Sequence, residues 1–124
     1  MRVLFVDDDD VTLFLYRVLA ESTANCVPFY AKDGKEALDL IEQEAQTFDL
    51  AFVDINMPVM DGFELLRIHD NLPKEKQIKN LFVMLGTDIS SEKKERLNIY
   101  RINDFIPKPL RKDLFSSVMT QISM

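Results

Sequence analysis

Acidic residues follow two apolar runs of the sequence, and a lysine follows a third. Asp7 and Asp8 come directly after residues 3–6, Asp54 comes directly after residues 50–53, and Lys108 stands between two prolines after residues 105–106. Carboxylates gathered in a small space repel one another and raise each other's pKa unless a cation lies among them. These residue types therefore predict a site for a divalent cation, provided that the apolar runs lie side by side.

Among metal ions, Mg²⁺ suits this set of residues. It is usually held by one or two carboxylates with waters and phosphate oxygens, whereas Ca²⁺ takes about six to eight oxygen ligands. The chain has one histidine and one cysteine, so no cluster of these residues supports zinc. A carboxylate beside Mg²⁺ can also attack phosphorus and form an acyl phosphate. Asp54 is the candidate nucleophile, because it ends the most buried run and the loop at 57–62 leaves its outer face open.

The elements that must position these residues are five strand-length apolar runs, at 3–6, 26–30, 50–53, 81–85 and 105–106. Three of them are apolar on successive residues, as in strands that are covered on both faces. Between the runs, apolar residues recur at helical spacing, and the first such set is Val11, Phe14, Leu15 and Val18. The alternation predicts an α/β domain with a doubly wound five-stranded parallel sheet and five helices. Such a sheet places its ligand site at the carboxyl ends of the strands, where the acids and the lysine stand.

Turn and capping residues agree with this order of elements. Asp33-Gly34 and Asp61-Gly62 are predicted to open helices, and Asp9 and Asp10 are predicted to cap the helix after the first run. Capping alone is the alternative interpretation of the whole four-aspartate run. The positions of Asp54 and Lys108 favour a metal site for the first two of these acids.

The size and charge of the chain limit its function. With 124 residues it has enough surface to bury one core, so residues 1–124 are predicted to form one domain. The longest apolar runs, of about five residues, are too short to span a membrane, and the N-terminus does not read as a signal peptide. We therefore expect a cytoplasmic protein. A net charge of −6, with 13 acids and 4 bases in residues 1–62, argues against a nucleic-acid partner and favours a cation.

Three stretches of the sequence resemble the receiver domain of two-component response regulators. They read VLFVDD at 3–8, FVDINMPVMDG at 52–62 and FIPKP at 105–109, and the resemblance covers essentially the whole chain. It implies that Asp54 accepts a phosphoryl group from a histidine kinase or a phosphotransfer protein. It further implies that Mg²⁺ is held by Asp7, Asp8, Asp54 and the carbonyl of Asn56, and that Lys108 contacts the phosphoryl group.

The resemblance also implies structural features that spacing does not give. These are a flavodoxin-like strand order of 2-1-3-4-5, a cis Lys108–Pro109 bond and a switching aromatic side chain at Phe105. The sequence departs from the family at the end of the fourth run. Receiver domains carry Ser or Thr 22 residues before the lysine, where this chain has Gly86 followed by Thr87. Either Thr87 takes that role or the hydroxyl is absent.

The resulting hypothesis is a phosphorylation-driven switch that acts through protein contacts. It is not an enzyme beyond its own Mg²⁺-assisted phosphorylation and dephosphorylation. We expect its downstream partner to bind the last strand and the final helix, near Phe105, Arg111 and Phe115, where positive charge and apolar residues gather. We expect a structural or surface role for His69.

Two alternatives remain open. An aspartyl-phosphate phosphohydrolase also uses an aspartate at a strand end with Mg²⁺, but it needs a second acid two residues later, where this chain has Asn56. A degenerate receiver domain used as a binding module is the other alternative, and the glycine at position 86 keeps it open.

Overall fold

The structure, a computed structural model, describes residues 1–57, 60–86 and 90–123. Five strands and five α-helices alternate along these residues, with one 3₁₀ turn at Lys74–Lys76. They are β1 (Arg2–Val6), α1 (Asp10–Glu21), β2 (Val27–Ala31), α2 (Gly34–Gln43), β3 (Leu50–Asp54), α3 (Gly62–Asp70), β4 (Leu81–Leu85), α4 (Ser91–Leu97), β5 (Asp104–Pro107) and α5 (Lys112–Ser123). The strands are all parallel, in the order β2-β1-β3-β4-β5. The predicted flavodoxin-like, doubly wound fold is confirmed.

The sheet separates two apolar layers. On one face, α2, α3 and α4 pack against side chains such as Leu4 and Val53. On the other face, α1 and α5 pack against a row of aromatic rings in which Phe5 and Phe52 lie 5.7 Å apart. All five residues of β3 are buried, as expected for a strand that is covered on both faces.

Aspartates begin three of the helices. The side chain of Asp9 accepts a hydrogen bond from the Val11 N–H, Asp33 accepts one from Glu36 at 2.8 Å, and Asp61 accepts one from Glu64 at 3.0 Å. Each bond satisfies an N–H group that has no partner within its helix. These caps confirm the predicted helix starts and fix where the chain turns after β1, β2 and β3.

The orientation of α1 differs from the expectation. The four apolar residues chosen by their spacing are exposed: Val11 by 66%, Phe14 by 60%, Leu15 by 48% and Val18 by 48%. A second apolar set, which includes Tyr16, faces the sheet instead, and the Tyr16 ring stacks on Phe5 at 4.7 Å. The helix carries two apolar faces, and periodicity alone does not choose between them. We call the exposed residues 11, 14, 15 and 18 the α1 apolar face.

Both edges of the sheet are short strands, and β2 begins one residue later than predicted. Cys26, which precedes β2, is half-buried. Pro28 lies in β2 and has no N–H to offer. None of the described helices combines the length and the apolar content that crossing a membrane requires.

Candidate functional site

The carboxyl ends of β1 and β3 bring three carboxylates together. Asp7 follows β1 and is fully buried, Asp54 ends β3 and is 5% exposed, and Asp8 is exposed at the rim. One carboxylate oxygen from each residue lies within 4.8 Å of the others. Because neighbouring parallel strands end at the same edge, residues 47 positions apart in the chain meet here.

Lys108 joins this group from the turn after β5. Its ammonium nitrogen Nζ lies 3.0 Å from Asp7 Oδ2 and 3.2 Å from Asp54 Oδ1. Its backbone N–H donates to the Leu85 carbonyl at 2.9 Å, which holds the turn against β4. The Lys108–Pro109 bond is cis, as the resemblance implied. One ammonium therefore bridges two buried carboxylates.

The charges of these groups shift their pKa values in a consistent way. Burial raises the pKa of Asp54, the neighbouring Asp7 carboxylate raises it further, and the Lys108 ammonium opposes both without cancelling them. Burial alone would lower the pKa of Lys108, but its contacts with Asp7 and Asp54 outweigh that effect and raise it. The site holds more negative than positive charge, and a further cation would relieve the excess.

The donor set fits a hard divalent cation. Asp7 Oδ1 accepts a hydrogen bond from the Asp9 N–H at 2.9 Å, whereas the buried Asp7 Oδ2 makes no hydrogen bond among the described residues and has Lys108 as its ion-pair partner. A buried oxygen without a hydrogen bond is costly unless another group compensates it. Two buried carboxylates and an exposed third are oxygen ligands of the kind that Mg²⁺ takes.

Asn56, two residues after Asp54, lies beside the Asp54 carboxylate. The N–H of Asn56 donates to Asp54 Oδ1 at 3.4 Å, and the Asn56 side chain is exposed. The N–H of Gly62 donates to the Ile55 carbonyl at 2.7 Å, so the two ends of the segment meet. This hydrogen bond holds the backbone of Ile55 and Asn56 next to the Asp54 carboxylate.

The remaining candidate residues differ in what the structure says of them. Gly86 follows β4 and is partly buried, and Thr87 lies outside the described residues. Phe105 is partly buried in β5, and Arg111 is exposed before α5. The expectation that Phe115 belongs to a partner surface is wrong, since Phe115 is fully buried and its ring lies 6.0 Å from that of Phe5.

Tyr16 also borders the site, and sequence reasoning missed it. Burial raises the pKa of its phenol, and the charges of Asp7 and Asp54 add to the shift. With Leu15, Lys108 and Pro109 it lines a small cavity of about 60 Å³ between α1 and the turn after β5. The only signal in the sequence is a tyrosine on a helix that directly follows the acidic run.

Comparison with known proteins decides the family. The model of the response regulator receiver domain matches residues 3–119. The chain belongs to this family. The transcription factor SKN7 of Chaetomium thermophilum is 32% identical over 120 residues, which are 95% of this chain and 15% of that protein. Other relatives of this receiver domain include response regulators and hybrid histidine kinases.

Solved receiver domains share its fold. A CheY-like receiver domain protein from Methanospirillum hungatei matches with a TM-score of 0.80 and 28% identity, over 98% of this chain and 93% of that one. The receiver domain of a sensor histidine kinase from Pseudomonas aeruginosa, solved with a magnesium ion in its active site cleft, matches with a TM-score of 0.82 and 18% identity, over 99% and 98%. Receiver domains are signalling switches that work with histidine kinases or phosphotransfer proteins.

Proposed function

We propose that this receiver domain is switched by phosphorylation of Asp54. The observation that carries the proposal is the Lys108 ammonium, which lies within 3.2 Å of both the nucleophile and its neighbour Asp7. A carboxylate at a rigid strand end, a cation aimed at it and two further acids are the groups that phosphoryl transfer to an aspartate needs.

In the proposed transfer, each of these groups has one task. An Asp54 carboxylate oxygen attacks the phosphorus of a phosphohistidine, the phosphorus–nitrogen bond breaks, and its electron pair stays on the departing imidazole. Lys108 then pairs with a phosphoryl oxygen as well as with Asp7. Asp7, Asp8, Asp54 and the Asn56 carbonyl would hold Mg²⁺, which supplies positive charge to the phosphoryl oxygens. The magnesium ion in the Pseudomonas aeruginosa receiver domain supports this part of the proposal.

The α1 apolar face is the surface that we assign to the phosphodonor protein. Scattered apolar residues are ordinary on a surface, but four at spacings of three and four residues form one continuous stripe. Leu15 of this face lines the same cavity as Lys108, so a helix that packs on it lies next to the acceptor. The occupant is then a helical histidine kinase or phosphotransfer protein that presents its phosphohistidine to Asp54.

We assign the output surface to β5 and the residues before α5. Phe105 and Arg111 remain candidates for contact with the partner, whereas the buried Phe115 packs α5 against the sheet. In this proposal Phe105 changes its packing when Asp54 is phosphorylated. Thr87 is the candidate residue whose hydroxyl couples the phosphoryl group to Phe105. If Thr87→Ala shows the same conformational response to beryllofluoride as the wild type, Thr87 is not the coupling residue.

Labelling with acetyl phosphate tests the assignment of Asp54. With Mg²⁺ present, intact-mass spectrometry should show one phosphoryl group on the wild type and none on Asp54→Asn. Undiminished labelling of the variant would contradict the assignment of Asp54.

A calorimetric titration tests the Mg²⁺ ligands. Asp8→Asn should weaken Mg²⁺ binding more than Asp10→Asn, because Asp8 belongs to the acidic cluster and Asp10 lies in the first turn of α1. Equal losses would mean that only diffuse charge attracts the ion.

A further inference from the structure

The first residue of α2 contacts the segment that follows the acceptor aspartate. Gly34 is buried, and its N–H donates to the Met60 carbonyl at 3.1 Å. The first N–H groups of a helix have no acceptor within the helix and need one elsewhere. Here the acceptor comes from the segment between β3 and α3, so the start of α2 and the surroundings of Asp54 are joined by a backbone hydrogen bond.

The contact leaves no room for a side chain at position 34. A Cβ there would lie 2.8 Å from Met60 Cγ and 2.9 Å from the Met60 carbonyl oxygen, whereas ordinary contacts begin at 3.4 Å. The flexible Met60 side chain can rotate away from such a Cβ. Its carbonyl belongs to the backbone, so relief of that contact needs a shift of about half an ångström in the backbone of one partner.

Side-chain hydrogen bonds hold the start of α2 in place. Asp33 caps α2 through the Glu36 N–H at 2.8 Å, and the Glu36 carboxylate accepts the Lys32 N–H at 3.1 Å. Together these two bonds hold the first turn of α2 against the residues that precede it. With α2 held in place, the backbone of Met60 would move. The hydrogen bond from the Gly62 N–H to the Ile55 carbonyl would carry this movement to the residue next to Asn56.

We propose that Gly34 is a positioning residue for the phosphorylation site. By lacking a side chain, it lets the start of α2 hold the segment after β3 where the Asn56 carbonyl can serve Mg²⁺. The inference rests on the proposed function, and it adds to the site a residue of α2 that touches neither the metal nor the phosphoryl group.

The test compares four variants with the wild type: Gly34→Ala, Met60→Ala, the double variant and Lys35→Ala. Lys35 is exposed in the same helical turn and serves as the matched control. The first readout is amide hydrogen exchange of Gly62 in metal-free protein, which reports its hydrogen bond to the Ile55 carbonyl directly. The second is the Mg²⁺ concentration that gives half-maximal labelling by acetyl phosphate. Thermal unfolding is recorded alongside to detect a general loss of stability. Alanine is a better helix former than glycine, so an effect of the substitution on α2 alone would leave the melting temperature unchanged or higher.

We expect Gly34→Ala to speed Gly62 exchange and to raise the half-saturating Mg²⁺ concentration about tenfold, the size typical of groups that orient metal ligands. Lys35→Ala and Met60→Ala should match the wild type in both readouts. The double variant, which lacks the side-chain overlap and so folds readily, should stay impaired because the carbonyl contact remains. Wild-type behaviour of Gly34→Ala, or full rescue in the double variant, would overturn the proposal. Failure of the wild type to bind Mg²⁺ or to be labelled would instead refute the proposed function, and the exchange of Gly62 would still test the contact.

Discussion

Two buried carboxylates in this receiver domain share one ammonium group. Lys108 contacts both Asp7 and Asp54, and the pKa of Asp54 still lies above its ordinary value because burial and the Asp7 charge prevail. A carboxyl group whose pKa is raised by folding binds its proton more tightly in the folded state. Its ionised form therefore costs stability at neutral pH, and the cost disappears as the pH falls.

Asp54→Asn should stabilise the metal-free protein at neutral pH. Removal of one of two neighbouring buried charges is expected to contribute about 1 kcal/mol, or roughly 3–6 °C in the melting temperature. Saturating Mg²⁺ should reduce the difference in melting temperature between Asp54→Asn and the wild type, because Mg²⁺ binds and stabilises the folded wild type. Differential scanning calorimetry with and without Mg²⁺ measures both effects, with Asp10→Asn as the control, since Asp10 is exposed and lies outside the acidic cluster. A lower melting temperature for metal-free Asp54→Asn would contradict this account of the site.

His69 is buried at the end of α3 and plays a structural role, as expected. Its Nε2 accepts the Ile78 N–H at 2.8 Å, which requires the neutral ring, and its buried Nδ1 has no partner among the described residues. Burial lowers the pKa of His69, Arg101 lowers it further, and Asp70 opposes them. The stabilising contact is therefore complete above the unfolded-state pKa of about 6.5 and is lost as the pH falls through the lower folded-state pKa.

His69→Gln should make the free energy of unfolding less dependent on pH below neutral pH. An amide oxygen can accept the Ile78 N–H but does not titrate in this range. Between the folded-state and unfolded-state pKa values of the wild-type ring, we expect the free energy of unfolding to fall by about 1.4 kcal/mol for each unit by which the pH is lowered. The variant should not show this fall. Urea unfolding at a series of pH values from neutral to mildly acidic measures it. Parallel curves for the two proteins would show that other groups control the acid limb.

The α1 helix shows what the periodicity of one element leaves undecided. Its apolar residues form two faces, and the one that faces the sheet is the one whose tyrosine ring can stack on Phe5. That choice depends on the shape of the opposite surface, which one sequence does not display. Asp7, Asp54 and Lys108 were predictable because strand ends converge on one edge whatever the helices do. The contacts of Tyr16 and Gly34 were not, since they depend on how two elements pack.

Substitutions on the α1 apolar face should separate the phosphodonor protein from small donors. Phe14→Ser is expected to slow phosphorylation by the cognate kinase about tenfold, as for a central contact worth somewhat more than 1 kcal/mol. The rate with acetyl phosphate should not change, because Phe14 is 60% exposed and lies outside the acidic cluster. Arg17→Ser, an exposed neighbour on the same helix, is the control. An equal loss with both donors would place Phe14 in the chemistry and contradict its assignment to docking.

Beryllofluoride, which mimics the phosphoryl group, should alter amide hydrogen exchange in β5 and the residues before α5. In our proposal, Phe105 repacks when the acceptor is occupied, and protection changes around Phe105 and Arg111. Exchange mass spectrometry with and without the mimic locates the response, and Asp54→Asn provides the control that binds no mimic. A response confined to α2 would contradict the assignment of the output surface.

The turn before β5, at residues 100–103, is held by one of its own side chains. The Asn103 side chain accepts the Leu81 N–H at 3.0 Å and donates to the Asn80 side chain at 3.0 Å. These bonds tie the turn to the start of β4. The composition of the turn did not reveal this, because an asparagine in a loop has many possible partners.

For the molecule as a whole, the order of elements and the location of the site followed from the sequence, because apolar runs covered on both faces fit only the interior of a layered structure. The strand order came from the family resemblance and is confirmed. The outer surfaces were harder to predict. Phe115 was assigned to a partner surface because it is apolar and lies near positive charges, yet it packs against the sheet. One apolar residue gives no sign of which side of its helix is covered.

The proline in the outermost strand limits how copies of this protein can meet. Val27 donates its N–H inward to the Met1 carbonyl, and successive N–H groups of a strand point to opposite sides, so the nitrogen of Pro28 occupies an outward position. If a strand of another molecule paired with β2, one of its carbonyl groups would have no N–H donor opposite it. This disfavours edge-to-edge association of sheets. The proline therefore protects the β2 edge of the five-stranded sheet from pairing with a strand of a second molecule.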